Sequence, residues 1–425
     1  MLLEFRFENF RSFKDEARLS MLPVNSYKER EGNVRPVEIP GTGASGVLTT
    51  AAIYGGNASG KTNLLRAVHF SRNLILGLQH PGGLIRRQCF AGSDEPSRFG
   101  YTFFTGGTRY EYDFAIDRNG ALEEELRVRP RAERLVYRRS RREDGTYEVK
   151  QGSKYSGIAA RLKGFADGGL VLGLLANYGF APCVAALDWF ANDLAVANRE
   201  NPIPDSELME KLAALGQEKF ERVIKTIGSA DLGIVGVQLD VDEMSEDEKA
   251  AQREKKDRIA ALLEALTGTK PGDVELSEKK VALQFRHLIN GRGVGFGLDE
   301  ESLGTLTMLD LAADFIDAID SGKALFVDEV ERSLHPVLLE SLVALFCNPE
   351  LNEKGAQLVF TTHDLSFLRN ERLRRDQIWF VEKDPESGAS DAYPLSSFSP
   401  RKDESLMNRY LHGAYGAVPF VEELI

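Results

Sequence analysis

Eight consecutive residues, Gly55-Gly56-Asn57-Ala58-Ser59-Gly60-Lys61-Thr62, fit the pattern G-x-x-x-x-G-K-[ST]. Such a loop wraps phosphate. Its glycines let successive backbone N–H groups turn inward, and the helix that follows adds its positive end. Lys61 is placed to reach the β- and γ-phosphates of a nucleotide, and the Thr62 hydroxyl to ligate Mg²⁺. Further along, Ala324-Leu325-Phe326-Val327-Asp328-Glu329 is an apolar strand ending in two carboxylates. In an α/β fold that places Asp328 at the metal and Glu329 at the attacking water, because ligands bind beyond the carboxyl ends of the strands. Leu358-Val359-Phe360-Thr361-Thr362-His363 ends a second such strand in a histidine, suited to donate a hydrogen bond beside the γ-phosphate.

Between loop and acids, Ser302, Gly304 and Thr305 open another helix and make a second anion-binding surface. One nucleotide does not need two such surfaces from one subunit. A head-to-tail dimer resolves this, each subunit offering its second surface to the nucleotide of its partner.

The elements that must position these groups are legible in outline. Val47 to Tyr54 reads as a strand running into the loop, and Asn63 to Leu76 as the helix leaving it. Leu2 to Phe10 alternates as a strand with Ala17 to Met21 as its neighbour. Residues 98–150 are β-rich, with a hairpin signal at Gly106-Gly107. Ala185 to Ala197, Asp205 to Ile227 and Glu246 to Leu266 have helical composition, the last opening on a Ser245/Glu248 capping box. Met308, Leu311, Ala312, Phe315, Ile316 and Ile319 lie on one face of a further helix. Strands at 324–327, 358–361 and 378–381 alternate with helices, the pattern of a parallel sheet. The expected class is α/β, a mixed sheet flanked by helices with a β-rich lobe and a helical insertion. Its expected divisions are 1–150, 151–280 and 281–425.

With 42% hydrophobic and 28% charged residues, the composition is that of a globular chain. No run is apolar and long enough to span a membrane, and the first residues lack the features of a signal peptide. Three widely spaced cysteines favour neither disulfides nor a zinc site, which fits the cytoplasm. The net charge of −12 argues against coating nucleic acid non-specifically. Residues Arg127 to Arg142 nevertheless hold eight arginines against Glu133. They read either as the polar face of a twisted hairpin or as a docking surface for nucleic acid or an acidic protein.

The order of phosphate loop, Ser-x-Gly helix, Asp-Glu strand and strand-end histidine resembles the ABC-type ATPase heads of the SMC and RecF group. Asn57, Asn63 and the opening Asn9-Phe10-Arg11-Ser12-Phe13 are similar to that group, and Glu331 to Pro336 matches its D-loop, which there touches the partner subunit. More narrowly, four segments resemble the bacterial AAA-fifteen and RloA/AbiL-like ATPases. They are Glu301 to Thr305, Asp328-Glu329 with Leu334-His335-Pro336, Phe380 to Asp384, and Gly413 to Pro419. By family position Arg11 and Ser12 contact the adenine. The glutamine loop has only Gln88 as a candidate, and Ser-Leu-Gly-Thr replaces the transporter-type Ser-Gly-Gly.

The resemblance implies an ATP- and Mg²⁺-dependent ATPase, slow and regulatory, acting as sensor and scaffold in phage defence. It implies a homo-oligomer built from head-to-tail dimers, controlling a separate nuclease or toxin effector. In the related PARIS system a phage protein triggers the release of such a toxin. A RecF-like DNA-repair ATPase and a stand-alone nucleotidase are the rival readings. The chain leaves no room for the nuclease domain of OLD-type enzymes, and Asp240-Val241-Asp242 lacks the glutamate motif a nuclease needs.

Overall fold

The computed structural model describes the chain except residues 81–87, 166, 198–204, 229–232, 244, 247–248, 251–252, 255–257, 259–278, 370–371, 402–403 and 419–425, and gives backbone only at 205, 239–243 and 279–282. It divides into two compact units, Met1–Glu200 with Ala318–Ile425, and Asn201–Asp317.

The first unit opens with β1 (Leu2–Glu8), β2 (Ala17–Ser20), β3 (Val34–Pro36), β4 (Gly46–Leu48) and β5 (Thr50–Tyr54). Helix α1 (Lys61–Ile75) follows, then β6 (Ser97–Thr105), β7 (Thr108–Asp117), β8 (Gly120–Arg129), β9 (Arg134–Arg141) and β10 (Tyr147–Gln151). Seven of these strands form an antiparallel sheet in the order β10-β9-β8-β7-β6-β1-β2, while β3 and β4 pair with each other. Gly106 and Gly107 both take positive φ, 55° and 72°, between β6 and β7, as a two-residue hairpin turn requires.

Short helices α2 (Ile158–Arg161), α3 (Leu172–Asn177) and α4 (Ala181–Asp188) lead to β11 (Leu194–Ala197). The helix expected over Ala185 to Ala197 is thus corrected: it passes through a π-turn at Trp189–Asp193 and becomes a strand. Leu194-Ala195-Val196-Ala197 is small, apolar and partly β-branched, and it pairs in parallel with β15 (Ala324–Val327) from Leu194 against Ala324. Sheet pairing overrides helical composition there.

The second sheet holds the three expected strands, β15, β16 (Gln357–Thr361) and β17 (Ile378–Lys383), and the antiparallel β18 (Ser390–Pro394). Its order is β11-β15-β16-β5-β17-β18, a mixed sheet. The strand leading into the loop therefore lies between β16 and β17, and β5, β15 and β16 are buried along their whole length.

In the lobe sheet, the arginine-rich stretch is largely paired in place. Arg127 and Arg138 meet Glu125, Arg129 meets Glu133, Arg141 meets Asp117, and Arg142 lies 3.5 Å from Glu148. Arg139 is buried, donating to the carbonyls of Gly169 and Asp167 at 2.7 and 2.6 Å beneath the Tyr147 ring. Beside it, the buried Glu124 accepts from the hydroxyls of Tyr112 (2.8 Å) and Tyr137 (2.6 Å) and from the amides of Val171 (2.9 Å) and Leu172 (3.1 Å). This ties the lobe to the start of α3.

The second unit contains α5 (Asp205–Ala214) and α6 (Gln217–Gly228), and β12 (Ile234–Glu243), β13 (Lys279–Ile289) and β14 (Arg292–Phe296) in one antiparallel sheet. The expected helix over Asp205 to Ile227 is broken at Gly216, whose φ is +76°. Most of the segment Glu246 to Leu266 lies outside the described residues, and Asp240 and Asp242 fall in β12 where only backbone is described. Helix α7 (Leu303–Ser321) buries Met308, Leu311, Ala312, Phe315, Ile316 and Ile319, as its spacing predicts. Within this unit Lys211 on α5 pairs with Asp310 and Asp314 on α7, at 2.5 and 2.6 Å.

Candidate functional site

The phosphate loop takes its shape from what crowds it. A Cβ at Gly55 would collide with the Val381 carbonyl of β17, and one at Gly60 would stand 2.5 Å from Ser390 Oγ and 2.9 Å from Ser12 Oγ. Gly60 also has φ +117°, and Ala58 sits at +59°, a region that costs an L-residue about 1–2 kcal/mol. Asn57 and Ala58 are exposed, Ser59 and Gly60 are buried, and Gly56, Thr62 and Asn63 are half-buried. Lys61 is buried with its Nζ donating to the carbonyls of Gly55 (2.8 Å) and Gly56 (3.0 Å).

The opening turn of the chain lies against this loop. Asn63 Nδ2 donates to Ser12 Oγ at 2.8 Å, and Ser390 N donates to the Ser12 carbonyl at 2.7 Å. Ser390 Oγ in turn donates to the Ser59 carbonyl at 2.6 Å. Arg11, with φ +53°, has its amide bonded to the carbonyl of Gln88. Ser12 thus touches the loop, and Arg11 beside it is tied to Gln88, through contacts that spacing alone does not show. Ser390 was not legible in advance, because a lone serine at the start of an edge strand carries no motif.

Asp328 and Glu329 follow β15 directly. Thr361, at the end of β16, donates its hydroxyl to Asp328 Oδ1 at 2.5 Å and accepts the Glu329 amide at 2.8 Å. Glu329 has φ +45°. His363 N donates to Glu331 Oε1 at 2.6 Å, and Tyr54 Oη, at the end of β5, donates to the Asp364 carbonyl at 2.8 Å.

Charge brings the groups together. Burial lowers the pKa of the Lys61 ammonium, against the pull of Asp328, Glu331 and Glu329. Burial and then the Lys61 charge lower that of His363, opposed by the same three carboxylates. Lys61, Asp328, Glu329 and His363 are therefore one electrostatic cluster at the carboxyl ends of neighbouring strands. Glu331 belongs to it as well; sequence reading assigned that residue only to a partner-facing loop.

Ser302, Gly304 and Thr305 belong to the second unit. Ser302 Oγ accepts the Thr305 amide at 3.1 Å and lies 2.9 Å from Thr305 Oγ1, so Ser302 caps α7. Ser302 and Leu303 are exposed there.

A hydroxyl at Thr62 and a carboxylate at Asp328 are hard oxygen donors, the kind Mg²⁺ takes when it is held by one or two protein groups and by phosphate. The residues present fit that ion.

A phosphate loop set between parallel strands, with two acids at the end of the strand beyond its neighbour, defines an α/β nucleotide-binding fold of the P-loop ATPase class. The chain belongs to the family described as "AAA domain, putative AbiEii toxin, Type IV TA system", whose model matches residues 51–369. No curated protein matches it. Among solved structures it is similar to an SMC head domain from Thermotoga maritima (16% identity, TM-score 0.41, covering 92% of this chain and 98% of that one). It is also similar to an Smc head bound to the C-terminal winged-helix domain of ScpA (12%, 0.45, 94% and 99%). A third is an Smc head with an extended coiled coil bound to the C-terminal domain of ScpA derived from Pyrococcus furiosus (14%, 0.39, 94% and 97%). Among the described residues, no helix is long and apolar enough to cross a membrane.

Proposed function

We propose that the chain is an ATP-hydrolysing switch that binds ATP between head-to-tail copies of itself and controls a separate nuclease effector in anti-phage defence. The observation that carries the reading is the cluster of Lys61, Asp328, Glu329 and His363 around the loop Gly55 to Thr62. Lys61 would bind the β- and γ-phosphates, exchanging its two loop carbonyls for phosphate oxygens. Thr62 and Asp328 would hold Mg²⁺, which supplies neutralising charge at the phosphates. Glu329 would orient the attacking water, and His363 would donate to the γ-phosphate. Ser302, Gly304 and Thr305 would complete the site of the partner copy, and Arg11 and Ser12 would face the base.

The toxin–antitoxin wording of the family description supports a defence setting, and the four segments that resemble AAA-fifteen and RloA/AbiL-like ATPases support an effector made as a separate chain. The ion pairs that hold Arg127, Arg129, Arg138, Arg141 and Arg142 speak for the hairpin reading of that stretch, which leaves the DNA-repair alternative with less to stand on. Co-purification of the chain with the product of its neighbouring gene, followed by mass measurement with and without ATP, tests the proposal. A stable complex with a nuclease is the expected result. A chain that binds no partner and turns over ATP rapidly alone would be a nucleotidase instead.

A further inference from the structure

The β15–β16 ladder ends at Val327 against Phe360, one residue short of the acids. Beyond it the backbone of β15 turns away into the left-handed Glu329, and no ladder bond remains to fix the two carboxylates. One side chain takes over. Thr361, fully buried, uses its hydroxyl in both directions, donating to Asp328 Oδ1 (2.5 Å) and accepting from Glu329 N (2.8 Å), while its carbonyl accepts Val330 N at 3.1 Å.

A hydroxyl has one proton to give, so its donation to Asp328 settles which way the dipole points and leaves its lone pairs for the Glu329 amide. With one oxygen held, the Asp328 carboxylate cannot swing, and its other oxygen keeps a fixed direction. The amide bond at Glu329 holds a φ that a glutamate disfavours, and so sets where that side chain leaves the backbone.

We infer that Thr361 is the positioning residue of this site: its hydroxyl aims Asp328 at the metal and Glu329 at the water. The inference rests on the nucleotide reading above. Valine keeps the shape of threonine without the hydroxyl, alanine removes the hydroxyl in a smaller side chain, and serine keeps the hydroxyl without the methyl.

The test compares wild type, Lys61→Ala, Thr361→Val, Thr361→Ala and Thr361→Ser in two assays: binding of a fluorescent ATP analogue with and without Mg²⁺, and ATP turnover. Thr361→Val is expected to bind the analogue without Mg²⁺ within about twofold of wild type. It should lose most of the Mg²⁺-dependent gain in affinity and roughly tenfold to a hundredfold in turnover, the range for a hydrogen bond to a charged group. Thr361→Ser should restore both. Should Thr361→Val fail to fold, Thr361→Ala carries the same comparison. Hydroxyl-free variants that keep wild-type Mg²⁺ dependence and turnover overturn the inference, as does a Thr361→Ser variant as defective as Thr361→Val, which would assign the effect to packing. If wild type binds no more analogue than Lys61→Ala, the nucleotide reading itself falls, and that result is distinct from the others.

Discussion

The carboxylate of Glu331 accepts the backbone amide of His363 at 2.6 Å, so the loop after β15 holds the loop after β16. Removing that acceptor frees the histidine backbone while leaving the hydrogen bonds of the phosphate loop in place, though it also takes one charge from around Lys61. Glu331→Ala is expected to slow ATP turnover roughly tenfold while changing nucleotide affinity far less, and Glu331→Gln, which keeps an acceptor oxygen, to remain near wild type. Steady-state kinetics alongside equilibrium binding separate the two effects; equal losses in affinity and turnover would contradict a role confined to His363.

Lys61→Ala and Glu329→Gln should fail in different ways. The first loses nucleotide binding. The second keeps it, slows hydrolysis by about a hundredfold or more, and accumulates an ATP-dependent dimer. Light scattering with ATP reads the dimer directly. Normal hydrolysis by Glu329→Gln would remove that residue from the proposed chemistry.

Gly60 and Gly77 make a matched pair. Both have positive φ, +117° and +71°, but only Gly60 has neighbours in the way, whereas a Cβ at Gly77 meets nothing within 4 Å. Gly60→Ala should therefore abolish nucleotide binding, and Gly77→Ala should leave it intact at a stability cost of about 1 kcal/mol. Calorimetric titration with ATP distinguishes them.

Glu124 has no contact with the candidate site, and its substitution should act on stability alone. Glu124→Leu leaves two tyrosine hydroxyls and two backbone amides without their acceptor, a loss of about 3 kcal/mol or more. Urea unfolding followed by tryptophan fluorescence is well placed to see it, since Trp189 stacks on Phe103 of the same lobe at 4.1 Å.

The lowered pKa of His363 has a sign that can be checked. Burial, then Lys61, keeps the folded imidazole neutral to a lower pH than the unfolded one, which takes up its proton near pH 6.5. The unfolded state thus binds more protons below that pH, and stability falls as pH drops through 6.5. His363→Gln should flatten this part of the stability–pH curve. A curve of unchanged slope would mean that the histidine ionises alike in both states.

The nucleotide core was largely readable because its signals are local. The loop, the buried face of α7 and the acid-terminated strand each occupy a few consecutive residues, and each falls where its pattern requires. The run Val47 to Tyr54, read as one strand, divides at Thr49 into β4, paired with β3, and β5 of the core sheet. What escaped is made by pairing across long separations. Leu194 to Ala197 looks helical until β15 is beside it, and Ser390 becomes part of the loop only because β18 brings it to Ser12 and Ser59. Thr361, two residues before His363, carries no motif of its own. Its hydroxyl gains meaning only from Asp328 and Glu329, 33 and 32 residues away. The arginine stretch stayed open because its charges alone do not tell which acids they meet, and Arg138 and Arg142 find theirs on adjoining strands.

The π-turn at Trp189–Asp193 faces two ways. Its first ring lies flat on the lobe sheet through Phe103, while the carbonyls of Phe190 and Ala191 accept from Arg72 near the far end of α1, at 2.8 and 2.9 Å. The wider helical winding leaves those carbonyls free for a guanidinium fork to grip. The helix that begins at Lys61 is thereby anchored at its tail to the same five residues that dock the antiparallel lobe and start the edge strand beside the acids. Seen mechanically, this turn is a common fulcrum, on which the lobe, the edge strand and the helix that carries the phosphate loop all bear.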